Sequence, residues 1–176
     1  MRRGAFSILK AGETAVYLGA MLVFSWFWLE LAVNWDCIRA GVSPELTDWY
    51  QKGVGESGDA FVLATAILTY LAPFVEETIF RGFALPEIAA LFGWRRAKRP
   101  AIAYVVAIVL TSALWSVGHG GVIDPEWVKW IQIFGIGCVL GVARFRLGLE
   151  ACIVLHMLFN LVGGYFMPGE LGIPLD

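Results

Sequence analysis

The sequence predicts an all-α fold, a polytopic membrane helix bundle in a single domain, and three observations carry that expectation. Of the 176 residues, 59% are hydrophobic and 16% are charged, whereas a soluble domain is about 45–50% apolar and about a quarter charged. The apolar residues gather into five runs, each near the roughly 20 residues that cross a hydrocarbon core of about 30 Å. Eight tryptophans suit the aromatic belts at membrane interfaces better than a soluble core. The bilayer is therefore the first expected partner. A net charge of −2 offers no basic surface for nucleic acid.

The first span is expected at 15–35. It follows the basic start "MRRGAFSILK" and resembles a signal peptide, but Trp26, Trp28 and Glu30 stand where a small-residue cleavage site would be needed, so it reads as a retained span. Residues 36–58 form a polar, turn-rich outer loop with Pro44, Gly53, Gly55 and Gly58. The second span, 59–80, has no charge from Ala60 to Val75 and ends in "FVEETIFRG". The segment "FALPEIAALFGW" (83–94) is too short and interrupted to cross, and reads as an interfacial or re-entrant helix. Spans three, four and five are expected at 100–119, 127–143 and 149–167, giving about five transmembrane helices. Basic residues set the orientation. Arg2, Arg3 and Lys10, then Arg95, Arg96, Lys98 and Arg99, then Arg144 and Arg146 alternate with segments carrying only Arg39, Lys52 and Lys129. The N-terminus is thus expected in the cytoplasm and the C-terminus outside, in a bacterial inner (plasma) membrane. Cys37, Cys138 and Cys152 are an odd set with no close pair and give no disulfide framework.

Polar groups in such spans need a reason. Glu76 and Glu77 arrive together at the end of an apolar run, and Arg81 follows Glu77 by four residues, on the same helix face. Glu76 then points about 100° away from Glu77. The two histidines of the chain, His119 in "WSVGH" and His156 in "HMLFN", both belong to apolar runs, and Asn160 follows His156 by four. Taken singly, two glutamates at a span end are interfacial charges reaching water, and one histidine is a hydrogen-bond donor to a neighbouring carbonyl. Together they form a set. A carboxylate in an apolar cavity serves as a general base, a neighbouring histidine shares or tunes the proton, and a second histidine with a carboxamide donates to an oxyanion. That chemistry is water-mediated acyl hydrolysis. Ser116 is the best candidate for a covalent nucleophile, but it has no evident basic partner at helical spacing.

These residues resemble the motifs of the CAAX prenyl protease and bacteriocin-processing family of intramembrane endopeptidases, also called the Abi family. Its first motif, two glutamates, three residues, then arginine, corresponds to "EETIFR" with Glu76, Glu77 and Arg81. Its second, an aromatic, three residues, then histidine, corresponds to "WSVGH", with Trp115 in place of the usual phenylalanine and His119. Its third corresponds to "HMLFN", His156 and Asn160. The likeness covers about 60–165. It implies that Glu76 activates water with His119 assisting, that His156 and Asn160 stabilise the oxyanion, and that Glu77 and Arg81 support the helix end. The substitution of Trp115 is expected to matter little for packing. The implied substrate is a membrane-associated protein or peptide: a prenylated tail, a peptide precursor or a C-terminal sorting signal. No cofactor is expected to be required. The alternative is zinc held by Glu76, His119 and His156, a two-histidine, one-carboxylate set.

Two other functions fit buried Glu and His: a proton-coupled transporter and a non-catalytic immunity or scaffold membrane protein. The missing internal repeat weighs against the first, and the intact motifs weigh against the second. One geometrical tension stands out. A straight third span puts His119 about 28 Å from its start, whereas His156 is about 10 Å into the fifth. Tilt, a break near 118–121, or a third span that starts outside the hydrocarbon would bring them together, and Pro73 can also bend the second span just before the glutamates.

Overall fold

The computed structural model describes residues 8–34, 41–42, 63, 66–93 and 100–166. Arg2, Arg3, Cys37, most of the outer loop, the basic stretch 95–99 and the tail 168–176 lie outside the described residues. Five helical rods follow one another. We label them α1 (Ile8–Asn34), α2 (67–91), α3 (Pro100–Val117), α4 (Glu126–Leu147) and α5 (Leu149–Phe166). Gly41–Val42 pairs antiparallel with Ile123–Asp124, which ties the segment after α1 to the turn before α4. The fold is an all-α membrane bundle. Of the described helices, α1 and α4 are long and apolar enough to cross a bilayer, and α3 and α5 contain shorter apolar stretches. Side chains such as Val16, Val23, Phe83, Val105, Leu114 and Phe145 lie exposed on the outside, where lipid rather than water is the fitting solvent.

α2 departs most from the sequence expectation. The short helix expected at 83–94 is present as Leu85–Leu91, but it continues α2 without a break, since the junction residues Leu71, Ala72, Glu77, Thr78, Ala84 and Leu85 all keep right-handed helical dihedrals. Two prolines are absorbed by widening. Ile67–Leu71 and Thr78–Ala84 are π-helical, with Ala72 N–H bonded to Ile67 O and Leu85 N–H to Phe80 O. In that i→i+5 register the carbonyl of Leu68 faces position 73 and that of Arg81 faces position 86. Both positions are proline, which has no N–H. Side chains from other helices fill both gaps: Asn160 Nδ2 donates to Leu68 O at 3.0 Å and Arg144 Nε donates to Arg81 O at 3.1 Å. The rod then ends at Gly93, whose φ of 79° suits glycine.

α4 is the hub, packed against α1, α3 and α5. Its glycines allow the approach. A Cβ on Gly141 would lie 2.8 Å from Ile108 Cγ2, one on Gly137 would lie 2.9 Å from Ser112 Oγ and 3.1 Å from Arg81 Nη2, and one on Gly135 would enter the ring of Phe24. Ala, Leu and Ile side chains of α4 and α5 fill the core with Met21 and Trp115. The α1–α4 interface also holds a polar cluster that the sequence did not single out: Lys129 Nζ donates to Gln132 Oε1 at 2.9 Å, and Gln132 Nε2 donates to Ser25 Oγ. We expect Gly137→Ala to lower stability by about 1–3 kcal/mol through overpacking, measured by denaturant titration in detergent. Gly19→Ala, where nothing lies within 4 Å, is the control. Equal stability of the two variants would show that α3 and α4 do not meet this closely.

Candidate active site

The two glutamates face different neighbours, as their helical offset predicts. Glu77 is fully buried. Its Oε1 accepts from Arg81 Nη1 at 3.1 Å and from His156 Nδ1 at 3.0 Å. Arg81, also fully buried, donates through Nη2 to Gly137 O at 3.3 Å and lays its guanidinium over the Trp115 ring, 4.2 Å from the centroid. The expected Glu77–Arg81 pair is present. The attachment of His156 to it is new: the sequence groups His156 with Asn160, and with Glu76 and His119 in the zinc alternative, but not with Glu77. Among the described residues, Glu77 Oε2 and Arg81 Nε are buried without a hydrogen-bond partner.

Glu76 stands on the more open side, with 27% of its side chain exposed beside 25% for His119. Its Oε2 accepts from Trp115 Nε1 at 2.7 Å and lies 3.8 Å from His119 Nε2. α3 stops at Val117, and His119 sits in the turn beyond it, held by His119 N–H to Ser116 O at 3.0 Å and followed by Gly121 with a φ of 77°. α3 ends just before 118–121, and the imidazole folds back so that Nδ1 lies 2.9 Å from Trp115 O. A carbonyl only accepts, so Nδ1 carries the hydrogen, and in the neutral ring Nε2 presents a lone pair towards Glu76.

Trp115 touches both halves. Its ring meets the His119 imidazole edge-on at 5.0 Å and the His156 imidazole at 5.3 Å. The sequence reading weighed this residue only as packing. The chemical difference from phenylalanine, an indole N–H that needs a partner when buried, was the available signal for its second role. Asn160 uses one amide hydrogen on Leu68 O, so its contact is with the π segment of α2, and a second hydrogen remains. Ser116 Oγ donates to Ala113 O at 2.9 Å, the back-bond of a serine hydroxyl within its own helix. The zinc alternative needs Glu76, His119 and His156 at one point. His156 Nδ1 lies on Glu77 Oε1, which leaves Nε2 as its other ring nitrogen, and among the described residues no three His, Cys, Asp or Glu side chains are grouped to hold a metal ion.

Comparison with known proteins agrees with the motifs. The chain is 33% identical over 88 residues to the sporulation-killing factor biosynthesis protein SkfC of Bacillus subtilis (strain 168), a match covering 49% of this chain and 16% of that protein. This chain therefore spans only a small part of that relative's length. No solved structure matches. Residues 58–162, which hold all three motifs and every side chain of both glutamate clusters, match the model of the type II CAAX prenyl endopeptidase Rce1-like family. The chain belongs to that family.

Proposed function

We propose that the protein is an intramembrane endopeptidase of the glutamic type, hydrolysing a peptide bond in a membrane-associated protein or peptide. The observation that carries this reading is the half-open pair of Glu76 Oε2 and His119 Nε2, 3.8 Å apart, next to a fully buried Glu77–Arg81 pair. Two acceptors have no hydrogen to share, and at that spacing they are matched by one water molecule donating a hydrogen to each. Glu76 takes a proton as the water oxygen bonds to the scissile carbonyl carbon. The carbonyl π electrons move to oxygen, giving a tetrahedral oxyanion. On collapse the C–N bond breaks, and the proton held by Glu76 passes to the leaving amine.

The oxyanion would face the Glu77–Arg81–His156 cluster. Nδ1–H of His156 is committed to Glu77, so Nε2 can donate only from the imidazolium. In that state the three groups sum to a charge of +1 beside the site, the sign that favours an oxyanion. Asn160 supports α2 through Leu68 and retains an amide hydrogen for the same oxygen. No step passes through a metal.

The relative's name concerns biosynthesis of a killing factor and the family's name concerns prenylated substrates, so both a precursor and a prenylated tail stand as substrate classes in this proposal. Residence in the bacterial plasma membrane, with the N-terminus cytoplasmic and the C-terminus outside, belongs to the same proposal. The test is mass-spectrometric analysis of membrane-anchored precursor peptides incubated with nanodisc-reconstituted wild type and Glu76→Gln. Product from wild type alone is expected, and 1,10-phenanthroline should leave its yield unchanged. Equal cleavage by both proteins would remove Glu76 as the base. Loss on chelation with rescue by zinc would overturn the metal-free mechanism.

A further inference from the structure

Trp115 is almost completely buried and holds both members of the half-open pair. Its indole N–H donates to Glu76 Oε2 at 2.7 Å, and its backbone carbonyl accepts from His119 Nδ1 at 2.9 Å. The second contact follows from the four-residue spacing and the end of α3, which let the imidazole fold back on the turn before it. The first needs the indole specifically, since no other natural aromatic of that size carries an N–H at that reach. The ring itself is fixed. Arg81 stacks on its face at 4.2 Å, and Arg81 is pinned by Glu77 and by Gly137 O. Orientation thus passes from the buried ion pair, through the indole plane, to the carboxylate of the open pair.

A packing role alone would need none of this polarity. A short hydrogen bond to a carboxylate is about twice as strong as one between neutral groups. It also freezes a side chain with several rotatable bonds, in the place where a base must already be aimed before substrate arrives. We propose that Trp115 is a positioning residue for this reaction, one that aims the Glu76 carboxylate through its indole N–H and the His119 imidazole through its carbonyl. This rests on Glu76 acting as the base.

Trp115→Phe keeps an aromatic face for Arg81 and edges for both histidines but removes the N–H. Its kcat is expected to fall about 10- to 100-fold while KM stays within about two-fold, because ground-state contacts with substrate are untouched. A second readout is independent of turnover. In nanodisc-embedded protein labelled with 15N-tryptophan, the Trp115 indole resonance is assigned by its absence in Trp115→Phe or Trp115→Tyr. It is expected to move upfield in Glu76→Gln and to stay in place in Glu13→Gln. A Trp115 resonance indifferent to Glu76→Gln would overturn the proposal. So would Trp115→Phe with wild-type kcat, or with KM raised and kcat unchanged. If wild type cleaves no peptide, the proteolytic reading fails on its own, and the indole resonance alone still decides the contact.

Discussion

Arg81→Leu is expected to lower the stability of the bundle by about 3–5 kcal/mol, the usual cost of removing one partner from a buried ion pair. Arg81 and Glu77 have no exposed side-chain surface. Leucine would leave the Glu77 carboxylate in the core with His156 as its one remaining partner, while Oε2 already has none among the described residues. It would also free Gly137 O and take the cation off Trp115. Arg81→Lys is expected to lose less, since an ammonium still pairs with Glu77, but a point charge cannot reach the carboxylate and the carbonyl in the same planar fork or stack on the indole. The double variant Glu77→Met/Arg81→Leu is expected to recover part of the loss, because it removes the charge that the single variant strands. Denaturant titration of each protein in detergent checks the order: wild type, then the double variant, then Arg81→Leu. A double variant less stable than Arg81→Leu alone would show that the pair is not the source of the effect.

Hydropathy placed α3, α4 and α5 within about four residues because membrane helices satisfy their own backbone and need only be apolar. The ends differ where side chains rather than hydropathy decide. α1 begins at Ile8, ahead of the expected 15, with Thr14 Oγ1 donating to Lys10 O in its early turns. α2 was legible only in part. Pro73 reads as a bend in the second span, and Pro86 lies in a segment that reads as interrupted, as local rules suggest. The helix continues because donors 92 and 63 residues away in the chain, Asn160 and Arg144, reach the carbonyls that the prolines cannot serve. No window of sequence around residue 86 contains that information. The glycines of α4 were different. Gly137 and Gly141 have the small-residue spacing of a close helix crossing, and that signal was available.

The site divides along the same line. Glu77 and Arg81 were legible because four residues is a local helical distance. The division of labour between the glutamates followed from the 100° offset, and the structure gives it its physical content: one carboxylate with no exposed surface, the other about a quarter exposed. His156 on Glu77 joins residues 79 apart, so only the motif order hinted at convergence. The placement of His119 shows the converse. The expected mismatch in depth assumed spans that start level; α2 instead runs on to Leu91, with Leu85 and Ala89 packed on Tyr104, Ala107 and Ile108, so that Glu76 comes level with the far end of α3.

Glu76 and His119 are expected to behave as one unit in turnover. With a peptide that the protein cleaves, Glu76→Gln should lower kcat/KM about 10³-fold, within the range for loss of a positioned general base. Glutamine keeps an oxygen for the indole N–H of Trp115, so the loss reports the missing basicity rather than a broken contact. His119→Gln should lower kcat/KM about 30-fold, since His119 receives a hydrogen of the attacking water but does not hold its proton at the end of the step. The double variant should be no worse than Glu76→Gln, because once the base is gone there is no poised water for the imidazole to orient. That equality separates this geometry from one in which the histidine works elsewhere, for example as an independent donor to the leaving group. In that case the two losses would multiply, to about 3 × 10⁴-fold. A multiplied loss would break the pair that the 3.8 Å separation suggests, while leaving Glu76 as the base.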